Sequence, residues 1–167
     1  MKVLVTGGLG FIGSHTVVEL QNKGFEVVII DNLSNSSIEV LDGITAITGV
    51  KPHFEKLDLK EKVDVVQFFE KHNDIVGVIH FAASKAVGES VEQPLMYYEN
   101  NINTLVYVLQ EITKLEQSNF IFSSSCTVYG QADELPITEN APIKPAESPY
   151  GNTKQMGEEI IRDTAKV

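Results

Sequence analysis

An α/β fold, a doubly wound parallel sheet with helices on both faces, is predicted by three features of the sequence. Short apolar runs rich in β-branched residues recur at Lys2–Thr6, Phe25–Ile30 and Ile75–Phe81, each the length of a buried strand. Stretches with helical spacing of apolar residues alternate with them, which is the order that builds a parallel sheet. Between the first strand and the first helix stands GGLGFIG at Gly7–Gly13, a literal G-x-G-x-x-G when counted from Gly8. A glycine turn there leaves backbone N–H groups free to meet an anion at the positive end of the helix dipole. The missing side chains let a pyrophosphate come close. With a strand before it and a helix after it, the turn predicts a Rossmann-like dinucleotide site, with Gly7, Gly10 and Gly13 as its candidate residues.

The 167 residues suffice for one domain with a sizeable core, and 43% hydrophobic with 22% charged content is that of a water-soluble globular chain. No apolar run approaches the ~20 residues that span a bilayer, and glycines break the N-terminal apolar run at once, unlike a signal peptide. These features predict no membrane partner. The single cysteine, Cys126, excludes an intrachain disulfide and a multi-cysteine zinc site, and no metal site is expected. That usage fits a reducing, cytoplasmic setting. A formal net charge of −10 argues against nucleic acid as a main partner. It leaves room for a small anionic ligand held by a few local donors.

The first helix is predicted over Phe11–Lys23, ending at Gly24. Asp31 follows the second strand directly, eighteen residues after Gly13. A carboxylate there accepts both hydroxyls of an adenosine ribose and repels a 2′-phosphate, which favours NAD over NADP; the plainer reading is a turn or helix-capping Asp. Asn32–Ser37 is a polar turn whose side chains can cap a helix over Ser37–Thr48. His53–Leu57 reads as a third strand. Asp58 after it either bonds an adenine or caps the helix that starts near Lys60. Val63, Val66, Phe68 and Phe69 mark that helix to Lys71–His72.

The fourth strand runs into the small residues of Ala82–Ser90, where Lys85 is either solvated or a cofactor contact. His80 reads as a satisfied core histidine. A long helix is predicted over Pro94–Glu116 with a stripe of Tyr97, Asn101, Leu105, Val108, Leu109 and Ile112. One of Asn100, Asn101 and Asn103 should face a neighbouring strand or the ligand, since amides are costly mid-helix. The fifth strand opens at Phe120–Phe122 and ends in Ser123–Gly130. Gln131–Pro149, with four prolines, is a long loop, and Tyr150–Val167 a final helix with Met156, Ile160 and Ile161 as its apolar stripe.

Tyr150 and Lys154 form Y-x-x-x-K, which puts phenol and ammonium on one helix face. A free Tyr has a pKa near ~10, and a neighbouring cation favours the phenolate. Such a base takes a hydroxyl proton as hydride leaves the same carbon. A hydroxyl among Ser123, Ser124 and Ser125 can bond the oxygen that loses its proton, and spacing alone does not choose among them. Cys126 has no His partner to make it a nucleophile and reads as a small buried residue.

With these residues in place, the chain resembles the extended short-chain dehydrogenase/reductases, and among them most the UDP-glucose 4-epimerases. VLVTGGLGFIGSHT, IIDNLSNS, VIHFAASKAVGES, NNINTL, FIFSSSCTVYG and SPYGNTKQMGE carry the resemblance, from Met1 to the end. It implies tightly held NAD+ contacted by Phe11, Ile12, Asp31, Asn32, Leu33, Ser34, Asn35, Ser36, Asp58, Leu59, Phe81, Ala82, Ala83, Lys85, Asn100, Ser125, Tyr150 and Lys154. It implies a UDP-sugar substrate contacted by Lys85, Ser125, Cys126, Thr127 and Tyr150. Ser125, Tyr150 and Lys154 are then the catalytic residues. Tyr150 removes the 4-hydroxyl proton while the C4 hydride passes to NAD+, the 4-keto sugar turns over, and hydride returns to its other face. Lys154 lowers the phenol pKa and holds the nicotinamide ribose, and Ser125 bonds the 4-oxygen.

Related nucleotide-sugar 4,6-dehydratases carry an Asp-Glu pair before VYG; Cys126 and Thr127 stand there in this chain, which ranks dehydration or decarboxylation below epimerisation. A non-catalytic NAD-binding module is a further alternative, disfavoured by the intact Tyr150 and Lys154. Family members are roughly twice as long, and their second half supplies uridine and sugar contacts. The resemblance is to the N-terminal, NAD-binding half, with no C-terminal substrate domain, so residues 1–167 alone are expected to lack epimerase activity. Apolar surface is expected on the last helix and the sheet edge. Homodimers through the Pro94–Glu116 and Tyr150–Val167 helices are expected by the same resemblance.

Overall fold

The computed structural model describes residues 1–116 and 119–165. Its chain forms β1 (Lys2–Thr6), α1 (Phe11–Asn22), β2 (Glu26–Asp31), α2 (Val40–Thr48), β3 (His53–Lys56), α3 (Lys62–Lys71) and β4 (Ile75–His80). These are followed by α4 (Val87–Glu92), α5 (Pro94–Ile112), β5 (Asn119–Phe122), a 3-10 turn (Cys126–Tyr129) and α6 (Pro149–Thr164). The Val167 end of the expected last helix lies outside the described residues. Two compact units are present, one of residues 1–82 and 107–123, the other of residues 83–106 and the chain from Ser124 onward.

The first unit holds the whole sheet, in the order β3-β2-β1-β4-β5, with every neighbouring pair parallel. Alternate strand residues point to opposite faces. On one face Val5, Val27 and Ile29 pack with Leu9 and Val17 of the α1 region and Leu41 and Ile44 of α2. Leu4, Val28 and Ile30 point the other way and are equally buried, so both faces are covered, as the continuous apolar runs require. Thr6 pairs with Ile30 and with His80, and His80 with Phe122. In this register Gly7, Phe81 and Ser123 leave the sheet, and Asp31 closes β2, at the carboxyl ends of the strands, where α/β sheets bind ligands. His80 is buried, and its Nδ1 lies 2.9 Å from Thr6 Oγ1, the satisfied core histidine that was expected.

In the second unit α6 packs against α4 and the 3-10 turn. The α5 stripe from Tyr97 to Ile112 is buried throughout as expected, though α5 stops at Ile112, short of Glu116.

Several expectations are corrected. Asp31 is the last residue of β2, not the residue after it. α2 begins at Val40 because Ser37 closes a turn first, its O accepting from Val40 N and its Oγ from Glu39 N. α3 begins at Lys62, after Glu61 N bonds Asp58 O. Its core residues are Val65, Phe68 and Phe69, while Val63 is exposed. α4 and the 3-10 turn were not anticipated. In α6 the buried positions are Gly151, Thr153, Lys154 and Gly157, with Met156, Ile160 and Ile161 only half-buried. Cys126 is exposed, not buried, because it begins the 3-10 turn and leaves Val128 to fill the space beneath. The expected apolar edge is present in part: Ile121 of β5 is exposed.

Ile29→Ala removes a fully buried side chain from the α1–α2 face and is expected to cost about 2–5 kcal/mol in urea unfolding. Ile121→Ala on the exposed edge is expected to stay within about 0.5 kcal/mol.

Candidate functional site

In the first unit the glycine turn is built by close backbone packing. Gly7 has φ +65, and a Cβ there would lie 2.9 Å from the Ala82 nitrogen. A Cβ on Gly13 would lie 2.3 Å from the Gly7 oxygen. No side chain fits at either place. Gly7 N donates to Ile30 O (2.8 Å) and Gly10 N to Gly7 O (3.1 Å), which curls the turn onto the head of α1. Gly10 is the N-cap and offers no side chain to the first-turn N–H groups. Phe11 and Ile12 of that turn are exposed. This cradle fits a pyrophosphate: unobstructed donors, a positive helix end and no Cβ in the way.

Asp31 is buried beside it. Its Oδ2 accepts from Leu9 N at 3.1 Å, and its Oδ1 accepts from Leu33 N (2.9 Å) and Ser36 Oγ (2.8 Å). The turn reading of Asp31 therefore holds as a structural role, and a carboxylate with about four acceptor positions keeps capacity for a further hydroxyl. Leu33 has φ +62, a left-handed residue held by that bond. Asn32 Oδ1 accepts from Ser34 N, and Asn32 Nδ2 donates to Asp58 Oδ2 (3.2 Å). Asp58 Oδ1 accepts from Lys60 N at 3.0 Å, so Asp58 caps a turn before α3 and not the helix itself. Ser34 and Asn35 are exposed. Leu59 is a core side chain, which leaves only its backbone for a ligand. Phe81 packs on the core cluster, and Ala82 N donates to Thr6 Oγ1 (3.3 Å).

In the second unit Ser148 caps α6 by accepting from Gly151 N at 3.1 Å. With Pro149 at the first turn, this starts the helix at the residue before Tyr150. Tyr150 and Lys154 share a face, and Lys154 Nζ lies 5.9 Å from the Tyr150 ring centroid, at the outer limit of a cation–π contact. Lys154 is only 4% exposed, and burial pushes its pKa down to about 8. Asn101 is the buried amide of α5: it donates to Thr153 Oγ1 (3.1 Å) and to Ser84 O (2.9 Å), and accepts from Ser84 N (2.8 Å). Thr153 in turn donates to Tyr150 O at 2.7 Å. Thr153 was not singled out from sequence; a hydroxyl inside an i,i+4 reactive pair was the available signal. Asn100 donates to Ser84 Oγ at 2.9 Å.

Ser125 caps the 3-10 turn, its Oγ accepting from Thr127 N (3.3 Å) and Thr127 Oγ1 (2.9 Å). A Cβ on Gly151 would lie 3.2 Å from Thr127 Oγ1. The Ser125–Thr127 turn thus sits directly against the first turn of α6, which carries Tyr150. Ser124 instead bonds Glu158. Cys126 and Lys85 are exposed.

Residues 3–166 match the model of the NAD dependent epimerase/dehydratase family. The chain belongs to that family. It is 49% identical over 166 residues to the UDP-glucose 4-epimerase of Haemophilus influenzae, covering 99% of this chain and 49% of that protein. The crystal structure of UDP-glucose 4-epimerase from Bifidobacterium longum in complex with NAD+ and UDP superposes with TM-score 0.93 at 45% identity, over 98% of this chain and 48% of that one. A UDP-glucose-4-epimerase structure from Stenotrophomonas maltophila, with bound NAD and formylated UDP-arabinopyranose, gives TM-score 0.92 at 43% identity over 99% of this chain and 49% of that one. The chain spans about half the length of these relatives.

Two measurements check the geometry. Gly13→Ala places its methyl on the Gly7 carbonyl and is expected to destabilise by about 1–3 kcal/mol in chemical unfolding. The second concerns Lys154, whose pKa is about 8 in the folded chain against the 10.5 of an ordinary exposed lysine. Between those values the unfolded chain binds more protons than the folded one, so stability rises with pH. Relative to Lys154→Met, the unsubstituted chain is expected to gain up to roughly 3 kcal/mol between about pH 8 and pH 10.5, read by urea unfolding across that range.

Proposed function

We propose that the chain is the NAD-binding and catalytic part of an enzyme that interconverts UDP-hexoses at C4, with the sugar pocket completed by a further segment such as the relatives' second half. The observation that carries this reading is the Tyr150–Lys154 pair, with the lysine buried and its ammonium over the phenol ring. The cradle of Gly7, Gly10 and Gly13 holds the pyrophosphate. Asp31 receives the adenosine ribose, which selects NAD over NADP. Asn32–Ser36, Asp58, Leu59 and Phe81–Ala83 line the adenosine side, and Lys85 and Asn100 the nicotinamide ribose and substrate side.

NAD bound in the cradle would supply the hydride acceptor in its oxidised form and, once reduced, the hydride donor for the return step. Tyr150 Oη accepts the proton of the sugar 4-hydroxyl as the C4–H bond breaks, and returns it when that bond re-forms on the other face. Lys154 stabilises the phenolate before that proton is taken up and again once it is returned. Ser125 already accepts from Thr127 through its Oγ, which turns its own proton outward to the 4-oxygen. Asn101 and Thr153 act as positioning residues, fixing the backbone that carries Tyr150. Cys126 and Thr127 contact the sugar and offer no carboxyl pair for loss of water, which supports epimerisation over dehydration.

The test joins residues 1–165 to the second half of the Haemophilus influenzae relative. The chimera is expected to convert UDP-galactose to UDP-glucose. Its Tyr150→Phe form is expected to retain NAD and lose about 10²–10⁴ in kcat. Undiminished turnover in that form would dismiss the assignment.

A further inference from the structure

His53 and Glu55 stand two apart on β3, so their side chains share one face of the sheet's edge strand. His72 follows α3 at its C-cap and is itself buried. The three converge. Glu55 Oε1 lies 3.1 Å from His53 Nε2 and 2.7 Å from His72 Nε2, and one ligand atom from each residue lies within 4.8 Å of the others. Ligand atoms about 2.0–2.2 Å from a tetrahedral ion are roughly 3.3 Å apart, so shifts of about an ångström would bring these three atoms around one ion.

The cluster is also held in place. The His72 ring packs on Phe68 (centroids 4.5 Å) and on His53 (5.3 Å), and His72 N donates to Phe68 O at 2.9 Å. His72, His53 and Lys71 all address the same oxygen, Glu55 Oε1. These hydrogen bonds hold Glu55 ionised, its pKa down at about 2 despite partial burial. On one side the site opens to water through His53 and Lys71, both with largely accessible side chains.

We propose that His53, Glu55 and His72 form a binding site for a divalent transition-metal ion of the Zn2+ type. Two imidazole nitrogens and one carboxylate oxygen suit that class, and water fills the open position. Lys71 swings into solvent when the ion enters, since its ammonium occupies the ligand oxygen. The ion clamps the edge strand β3 to the end of α3. None of the three residues belongs to the cofactor cradle or the Tyr150–Lys154 pair, so the site stands whether or not the proposed chemistry does.

The experiment uses the chain without a histidine tag, in a Cys126→Ser background that removes the exposed thiol as a competing ligand. After dialysis against a chelator it is titrated with zinc chloride by calorimetry and with cobalt chloride by visible absorption. One saturable equivalent with a tetrahedral cobalt spectrum is expected. His53→Ala, at an exposed position, and Glu55→Gln are each expected to weaken binding at least about tenfold. Lys71→Met removes the competing cation and is expected to bind at least as tightly as the unsubstituted chain. No saturable binding, undiminished binding in both His53→Ala and Glu55→Gln, or weaker binding in Lys71→Met would each overturn the proposal.

Discussion

The buried carboxylate of Asp31 receives hydrogen bonds from two loops: Leu9 N of the glycine turn, and Leu33 N and Ser36 Oγ of the segment after β2. A bond to a charged group is worth about 1.5–3 kcal/mol, and a buried donor left without its partner costs a comparable amount. The conformation of both loops therefore depends on this one acceptor. Through Leu9 it fixes the turn whose glycines meet Ala82 and the head of α1 at backbone contact. In the proposed function the same carboxylate also receives the ribose hydroxyls. Structural and ligand roles are compatible because a carboxylate accepts more bonds than the two loops use.

The second unit has its own constraint in the burial of Lys154. Taking an ammonium out of water is costly, and the depression of its pKa to about 8 expresses that cost. At neutral pH it still carries its charge, beside a phenol ring and in a helix pinned at several places. Ser148 caps the start, Asn101 holds Thr153, Asn152 Nδ2 bonds Tyr98 Oη, and Gln155 Nε2 bonds Val128 O. Tyr97 adds a further anchor, its hydroxyl donating to Glu89 and accepting from Ala86 N, with burial pushing its pKa up to about 12. In the proposed function such a frame suits Tyr150, a base that must hold its angle to a substrate.

Much of this was legible in the sequence, for identifiable reasons. β1, β2 and β4 came out within a residue because continuous β-branched runs in a parallel sheet admit little else. That Tyr150 and Lys154 share a face was readable because i,i+4 spacing alone puts two side chains on one side of a helix. The α3 stripe was misread because VDVV offers valines in two phases, and only packing chooses Val65 over Val63. α4 is too short to show a period, and the 3-10 turn depends on Ser125 capping it. In α6 the buried face is made of Gly151, Thr153, Lys154 and Gly157, small or polar residues that hydropathy overlooks. The His53, Glu55 and His72 cluster needed the pairing of β3 with the end of α3, which no local pattern reveals.

The central claim is that the glycine turn braced by Asp31 is a site for NAD. It is tested most directly by denaturing the purified chain and measuring released nucleotide by absorbance, with NAD+ titration of any cofactor-free protein alongside. One NAD per chain, carried or taken up, with NADP bound far more weakly, is the expected result. No nucleotide released and no saturable uptake of NAD+ by the folded chain would contradict the account.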